Sequence, residues 1–448
     1  MSDHLARLTE QLLDAARRAG ADSADAMAVT GRSVSVEMRA GTLEQAERAE
    51  GTDIGLRVLI GRRQAAVSAS DTSADTLTEM AERAVAMARE APEDPYAGLA
   101  ETNQLAETWD VAALDLFDPS PEPDPEWLQQ QAAEAERAAL AVPGVTQSQG
   151  AAAEYTARDI HLAASNGFSG GYSRTDSALH CVAMAGEGQG MERDHDADHR
   201  IHAADLRSPE EIGHLAGIRA VERLNPEKPR TGAYPVLFDE RVSSSLIGHL
   251  LSAVNGDAVA RGASWLRDAL GETLLPDDLS LTEDPLRPRV PGSRPFDAEG
   301  LATRKRLIVE NGVLKGYTLD LASARKLGMH STASARRGPG TAPSPGVSNV
   351  SLTQGTASRE ELIARMWTGL IVTSFIGATI NPNTGDYSRG ASGLWVENGE
   401  VKHAVNEVTI AGNLRDMLRR IIPANDARPY LSTVVPSLLV EGLTLAGA

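Results

Sequence analysis

The chain has 448 residues and a formal net charge of −19, with 42% hydrophobic and only 4% aromatic residues. This length allows two or three domains, and the acidic balance argues against direct binding of nucleic acid or an anionic membrane, because phosphates are bound mainly by Lys and Arg. A single cysteine, Cys181, excludes a disulfide framework and a CxxC metal site. The first residues carry charges in place of a signal peptide's apolar core, and no run approaches the ~18 apolar residues of a membrane helix. We therefore expect a cytoplasmic protein.

Residues 1–91 are predicted to form an N-terminal α+β region. Leu5, Leu8 and Leu12 share one helical face, alternation around Val34 indicates a strand, and residues 75–90 have the pattern of a second helix. Residues 53–60 and 64–69 are predicted as further strands of the same antiparallel sheet. Residues 92–125 are acidic and rich in proline, which lacks the amide donor that helices and central strands need, so we expect a linker or surface wrap there.

Residues 126–226 are predicted to form a central α+β region that repeats this plan. Residues 126–140 favour a helix, and Ser165, Asn166 and Gly167 mark a turn between two strands. Periodicity leaves open whether residues 1–91 and 126–226 are two domains or share one sheet. The predicted fold class is α+β: an N-terminal, sandwich-like α/β portion with an antiparallel sheet and long helices, then a β-rich C-terminal domain at residues 230–448.

Two Asn-Gly pairs, Asn311-Gly312 and Asn398-Gly399, lie between apolar segments of this C-terminal domain. Both residues of the tightest hairpin turns need a positive φ, which Asn and Gly tolerate, so each pair predicts a β-hairpin. Residues 240–253, 358–366 and 413–421 have helical periods. Residues 336–350 are crowded with Gly and Pro and are expected to form an exposed loop.

The densest metal-like cluster lies in residues 194–199. On a strand, His195 and His199 share one face, while on a helix their i,i+4 spacing can bind one Zn²⁺, and His202 follows them. No apolar frame flanks these imidazoles to hold them rigid. We therefore interpret the run as a solvated turn or edge strand.

The most specific signal lies near the end of the chain. Residues 384–400, TGDYSRGASGLWVENGE, followed by EVTIAGNL at residues 407–414, closely resemble the PmbA (TldE) branch of the TldD/PmbA family, once called modulators of DNA gyrase. Shorter family-like stretches are GLRV at 55–58, EDPYAGL at 93–99, SNG at 165–167, PFDAEG at 295–300 and SARKLG at 323–328. The resemblance runs from about residue 50 onward, nearly the whole chain.

The resemblance implies a metallopeptidase complex, in which a dimer encloses a chamber where unfolded peptides are cut. In the TldD branch a helix carries HExxxH, whose histidines bind the metal and whose glutamate activates water. The matching positions of the present chain are Ser244, Ser245 and His249. Serine hydroxyls neither hold Zn²⁺ tightly nor act as a base near neutral pH. We therefore predict a degenerate site, with no metal or other cofactor on this chain and zinc on a TldD-type partner.

The favoured function is a non-catalytic subunit that pairs with a TldD-type metallopeptidase, or with itself as a homodimer, to degrade unfolded proteins or process peptide precursors. Addition of the peptide to a sheet edge would supply a sequence-tolerant grip. The predicted chamber contacts are Asn383, Asp386, Tyr387, Ser388 and Arg389, although a tight structural turn explains the same motif. Asp386 and Arg389 are expected to form an ion pair that fixes the loop or meets the peptide backbone.

Two alternatives stay open at this point. One is a self-sufficient homodimeric hydrolase with an unrecognised site, for example His249 with Asp257, His330 or His403. The other is a regulatory protein-binding module that acts on gyrase, where a net charge of −19 favours action through proteins rather than DNA.

Overall fold

The computed structural model describes residues 2–447. In the N-terminal half, six strands form one antiparallel sheet in the order β3-β2-β1-β4-β5-β6. The strands are β1 (Ser23–Arg39), β2 (Thr42–Ile60), β3 (Arg63–Ala69), β4 (Val145–Ala164), β5 (Ser169–Ala185) and β6 (Glu192–Arg200). Because β1 pairs with β2 on one side and with β4 on the other, residues 1–91 and 126–226 contribute to a single sheet.

Helices cover this sheet in two groups. The helices of this half are α1 (Ser2–Ala19), α2 (Ala74–Glu90), α3 (Val111–Leu114), α4 (Pro125–Leu140) and α5 (Pro209–Glu222), with short 3-10 helices at Thr102–Gln104, Gly188–Gly190 and Ala203–Asp205. The first group, α1 and α2, buries Leu5 and Met80 over β1 to β3, and α4 and α5 bury Leu128 and Ile212 over the other end. Asp124 caps α4 by accepting a hydrogen bond from a backbone amide. The structure confirms the helices predicted at residues 75–90 and 126–140.

The C-terminal half is built mainly from strands, as the predicted fold class requires. Its strands are β7 (Gly232–Phe238), β8 (Leu281–Glu283), β9 (Arg306–Glu310), β10 (Val313–Leu314), β11 (Ala335–Arg336), β12 (Ser344–Pro345), β13 (Val350–Leu352), β14 (Gly369–Ile380), β15 (Asp386–Glu397), β16 (Glu400–Asn413), β17 (Ile422–Pro423), β18 (Thr433–Val434) and β19 (Leu438–Ala446). Its helices are α6 (Glu240–Ala253), α7 (Gly256–Ala260), α8 (Leu321–Leu327), α9 (Arg359–Met366) and α10 (Leu414–Leu418). Among the helices of residues 2–447, none has the length and apolar character needed to cross a membrane.

The larger C-terminal sheet has the order β16-β15-β14-β7-β19-β17, and an additional pairing of β16 with β19 closes it on itself. A second sheet has the order β10-β9-β8-β13-β18. The main core of this half lies between the sheets and α6, around Phe238, Leu250 and Trp395. This arrangement holds α6 against the strands that carry the family signature.

Both predicted Asn-Gly hairpins are confirmed. Asn311 and Gly312 join β9 to β10 with φ of 48° and 80°, and Asn398 and Gly399 join β15 to β16 with φ of 54° and 75°. Positive φ at both turn residues matches the right-handed twist of the flanking strands, which is why this dipeptide specifies the turn.

The prediction of an exposed loop at residues 336–350 is correct only in part: residues 340–342 are exposed, but the segment also packs against the N-terminal sheet and is buried at residues 348–350. The carbonyl oxygen of Pro339 lies so close to Gly55 that a Cβ there would be 1.9 Å from it. Arg337 forms a buried ion pair with Asp25 of β1, and the side chain of Arg337 is 0% exposed. The small Gly55 therefore allows the backbone at Pro339 to contact β2 of the N-terminal sheet. The Gly- and Pro-rich composition alone had indicated a segment that faces solvent.

Residues 92–125 wrap over both halves of the molecule. The guanidinium of Arg325 in α8 donates hydrogen bonds to the carbonyls of Tyr96, Gly98 and Leu99 at 2.7–3.2 Å. The ring of Trp109 packs edge-on against Phe296 with centroids 5.1 Å apart. The segment is thus a surface wrap with its own anchoring contacts.

Candidate functional site

The helix at the centre of the candidate site is α6. It begins after Asp239, whose carboxylate accepts a hydrogen bond from the amide of Arg241, and its apolar face buries Leu246, Ile247 and Leu250. The positions that match HExxxH, Ser244, Ser245 and His249, lie away from this core face and are half-buried. Ser245 and His249 are four residues apart, so their side chains share one face of the helix.

His249 faces the strand that carries the family signature. Its ring centroid lies 5.9 Å from that of Tyr387 on β15, with the two planes at 72°. Burial, followed by the positive charge of Arg389, lowers the pKa of His249. The imidazole is therefore neutral at physiological pH, and its buried Nε2 has no hydrogen-bond partner among the described residues.

Tyr387 and Arg389 complete this group because alternate residues of a strand share a face. Tyr387 is 2% exposed, and burial raises the pKa of its phenol to about 12, with the charge of Arg389 offsetting part of the rise. The guanidinium of Arg389 lies 3.8 Å from the ring centroid of Phe375 on β14, and its Nε donates a 3.0 Å hydrogen bond to the carbonyl of Gly377. The predicted residues His249, Tyr387 and Arg389 thus meet in one place.

The other predicted chamber residues lie in or beside the turn before β15. The amide of Asn383 donates to the side-chain oxygen of Asn381 at 3.0 Å. The carboxylate of Asp386 accepts hydrogen bonds from the hydroxyl of Thr384 at 2.7 Å and from the side-chain amide of Asn413 at 3.1 Å. Ser388 is exposed. These contacts fix the turn locally.

The expected ion pair between Asp386 and Arg389 is wrong. Positions three apart on a strand point to opposite faces, so the two side chains diverge. Asp386 instead satisfies the turn, and Arg389 stacks on Phe375.

The group implied by the family, a zinc ion, does not fit the side chains at the HExxxH positions. A zinc site needs imidazole, thiolate or carboxylate ligands, and Ser244 and Ser245 offer hydroxyls alone beside His249. Within residues 2–447, no group of three or more His, Cys, Asp or Glu side chains is arranged to hold a metal ion. Neither His249 with its suggested companions nor the cluster around His195 forms such a group.

The acidic run at residues 194–199 forms edge strand β6, in agreement with the solvated edge-strand interpretation. His195 and His199 are exposed, while Asp194, Asp196 and Asp198 are buried on the opposite face. The three carboxylates are paired with five arginines: Arg200, Arg207, Arg219, Arg223 and Arg241. This arrangement holds the sheet, α5 and α6 together and leaves no carboxylate free beside the imidazoles.

A cleft of about 1080 Å³ adjoins the site, between the N-terminal sheet and the end of β14. Its lining includes His195 and Met184 on one side and Ser374, Phe375 and Ile376 on the other. Phe375 belongs to both the cleft and the Arg389 contact, so the cleft reaches the His249 group. The sequence offered no signal for Phe375, which lies outside the recognisable motifs.

One edge of β14 is open along this cleft. β7 pairs with β14 at Leu370 to Val372 and then ends, whereas β15 continues on the other side. Residues 373–376 therefore have a strand partner on one edge alone within the described chain, and Ile376 is 61% exposed. Unpaired main-chain groups of this kind accept an added strand.

The sequence matches family models of metallopeptidase domains along most of its length. PmbA/TldA metallopeptidase domain 1 matches residues 24–88, the central domain residues 118–224 and the C-terminal domain residues 231–447. These matches place the chain in a class of metallopeptidase-related proteins, to which its α+β fold conforms.

A curated relative of this chain belongs to the same class of proteins. Metalloprotease PmbA of Escherichia coli O157:H7 is 36% identical over 416 residues, which covers 92% of this chain and 90% of that protein. The chain belongs to the TldD/PmbA family, in its PmbA/TldE branch, as the signature at residues 384–400 predicted.

Solved structures show the same fold. A crystal structure from Bacteroides thetaiotaomicron, described as a candidate modulator of DNA gyrase, has a TM-score of 0.91 at 26% identity and covers 99% of this chain and 98% of that chain. TldE from Thermococcus kodakarensis has a TM-score of 0.84 at 21% identity, covering 98% of this chain and 100% of that chain, which shows the fold alone.

Proposed function

We propose that this chain is a non-catalytic subunit of a TldD/PmbA-type metallopeptidase complex in the cytoplasm. The observation that carries the proposal is the side-chain set on α6, where Ser244 and Ser245 stand at positions that need a metal ligand and a proton-transferring carboxylate. A TldD-type partner would supply the zinc and the general base. This chain would supply the opposite wall of the chamber.

The open edge of β14 is the proposed peptide grip. Main-chain hydrogen bonds to residues 373–376 would hold an unfolded segment with little regard to its sequence. Arg389 lies on the neighbouring strand β15 and helps to fix the position of β14, since its guanidinium stacks on Phe375 and donates a hydrogen bond to the carbonyl of Gly377. Unfolded proteins and peptide precursors are the substrates that such a grip suits, because a folded chain has no free strand to offer.

Replacing Arg389 by Ala should lower kcat/KM for unfolded casein in the reconstituted complex by roughly fivefold to tenfold. The variant loses both the stacking on Phe375 and the hydrogen bond to Gly377, so the edge of β14 loses its support. Arg261→Ala is the matched control, because that side chain is 65% exposed and reaches Asp257 at 3.9 Å only. Unchanged cleavage together with an unchanged melting temperature would remove both a peptide-binding and a structural role for Arg389.

In the absence of its partner, the chain should form a homodimer that buries more than roughly 2,000 Å² in total. A closed chamber needs two chains, and residues 42–51 of β2 are exposed along a strand that is paired with β1 on one edge. Such a long free edge invites association. Sedimentation equilibrium at micromolar concentration measures the mass. A monodisperse monomer that also recruits no partner from the native lysate would contradict the chamber model.

A self-sufficient hydrolase is the second candidate, and one observation favours it. The hydroxyl oxygen of Ser245, Nε2 of His249 and the hydroxyl oxygen of Tyr387 are all buried without hydrogen-bond partners among the described residues. Ser245 and a neutral His249 on one helix face are the residue types of a nucleophile and its base, although the two are not hydrogen-bonded to each other and no described residue bonds the imidazole to orient it. Cleavage assays on the isolated chain separate the two candidates.

A further inference from the structure

A second cavity, of about 540 Å³, lies where the N-terminal sheet meets the C-terminal half. One wall is apolar and is formed by Met27, Leu162, Tyr172 and Phe296, with the rings of Tyr172 and Phe296 packed edge-on at 5.7 Å. The volume suits a small organic ligand, for which pockets of ~300–1,000 Å³ are usual.

The lining also includes four arginines, in a protein whose net charge is −19. Two of them have carboxylate partners: Arg174 pairs with Asp176 at 3.0 Å, and Arg337 shares Asp25 with Arg57. For Arg294 and Arg336, residues 2–447 provide no carboxylate oxygen within 4.0 Å of the guanidinium. Arg294 and Arg336 therefore line the cavity without an ion-pair partner among the described residues.

Several hydrogen-bond donors around this cavity lack acceptors within the described chain. Arg294 is 9% exposed, and it donates to the carbonyls of Ala335 and Gly346 while its Nε has no acceptor. Nε and Nη2 of the fully buried Arg337 and the hydroxyl of Ser348 are likewise unpaired. Buried donors without acceptors cost free energy, and the positive charges of Arg294 and Arg337 beside the cavity make its wall attractive to an anion.

Arg336 is the most available of the four. The residue is exposed, and while its backbone pairs with Ser344 of β12, its side chain makes no hydrogen bond or ion pair with the described residues. Partial desolvation of the guanidinium within the cavity and the positive charge of Arg294 lower the pKa of Arg336 to about 10, so the side chain is still charged at neutral pH. The buried carboxylate of Asp297 also lines the cavity and attracts Arg294, but its oxygens accept hydrogen bonds from the amides of Glu299, Leu301 and Ala335 rather than from a guanidinium.

We propose that this cavity binds a carboxylate attached to an apolar body, with Arg336 and Arg294 holding the carboxylate and the Tyr172 and Phe296 rings contacting the body. The planar guanidinium fork matches a carboxylate in a bidentate manner. The terminal carboxylate of a peptide and a free organic acid share this chemistry. The proposal does not depend on peptide cleavage by a complex, since the site lies within this chain.

Titration calorimetry on the full chain tests the proposal with four probes: the peptide Ala-Ala-Phe with a free C-terminus, its C-terminal amide, 3-phenylpropionate and inorganic phosphate. The free peptide or 3-phenylpropionate should bind, the amide should bind at least about tenfold more weakly than the free peptide, and phosphate should not displace either acid. Preference for the peptide identifies a chain terminus as the ligand, and equal or better binding of 3-phenylpropionate identifies a free acid.

Arg336→Gln should weaken binding of the acid by about tenfold or more while the melting temperature stays equal or rises, because an unpaired cation is removed. Arg304→Gln is the matched control, since Arg304 is exposed and lies outside the cavity lining. Arg336→Lys keeps the charge without the fork and should give an intermediate affinity. The proposal is overturned by the absence of binding of both acids up to roughly 5 mM, by equal binding of the amide, by tighter binding of phosphate, or by wild-type affinity in Arg336→Gln.

Discussion

Purified alone, the chain should contain well under one equivalent of Zn²⁺ and cleave no unfolded casein, and cleavage should appear when a TldD-type partner is added. Ser244 and Ser245 remove a ligand and the carboxylate that moves protons, which leaves His249 as the one imidazole of the motif. A single imidazole holds zinc too weakly to survive purification. Elemental analysis and peptide release from casein measure the two quantities.

The variant His249→Ala distinguishes a metal ligand from a structural residue. Loss of a true metal ligand abolishes both metal and turnover, whereas here the change should affect stability at most, through the lost packing on Tyr387. His214→Ala is the control, because His214 is exposed on α5 and belongs to none of the candidate sites. Stoichiometric zinc, or casein cleavage by the isolated chain that disappears in His249→Ala, would replace the partner-subunit proposal with the self-sufficient hydrolase.

Asp25→Asn should lower the free energy of unfolding by about 3–5 kcal/mol, because it leaves two buried guanidiniums without their counter-charge. Asp25 lies between Arg57, whose Nε donates at 2.8 Å, and Arg337 from the far half of the chain, and all three side chains are at most 5% exposed. Asp14→Asn removes an exposed pair with Arg17 instead and should change stability by less than about 0.5 kcal/mol. Urea denaturation of both variants measures the difference.

The effect of Asp25 should depend on pH with a definite sign. Burial acts to raise the pKa of Asp25, but the charges of Arg337 and Arg57 outweigh it and lower the pKa below the ordinary value of 3.8. A carboxyl with a lowered pKa in the folded state contributes stability that is complete above its unfolded pKa and is lost as pH falls through the folded pKa. The gap between wild type and Asp25→Asn should therefore be constant from pH 6 to pH 8 and shrink in acid below about pH 4. A gap under about 1 kcal/mol at neutral pH would show that the pair does not tie the halves together.

Local interactions made several features of this protein predictable from its sequence alone. The turns at Asn311-Gly312 and Asn398-Gly399 followed from the φ that these residues tolerate, and the helices α2, α4 and α6 followed from apolar spacing within a few turns. The family was predictable because a signature as long as residues 384–400 does not match a family by chance. In each case the determining residues are neighbours in sequence, so periodicity and turn chemistry contain the information.

Contacts between distant segments were decided by the tertiary structure. Arg337 and Asp25 are separated by 312 positions, and nothing in either neighbourhood indicates that a Gly- and Pro-rich segment is docked on β1 rather than exposed. The same holds for the single sheet shared by residues 1–91 and 126–226 and for the excess of arginine in the cavity beside Phe296. His249, Tyr387 and Arg389 were each selected from motifs, but whether they meet depends on how α6 lies against β15. The Asp386–Arg389 pair fails because residues 386–389 form a strand, on which positions three apart face opposite sides. Burial and charge compensation are properties of the assembled chain, because a side chain acquires its neighbours only when remote strands pair.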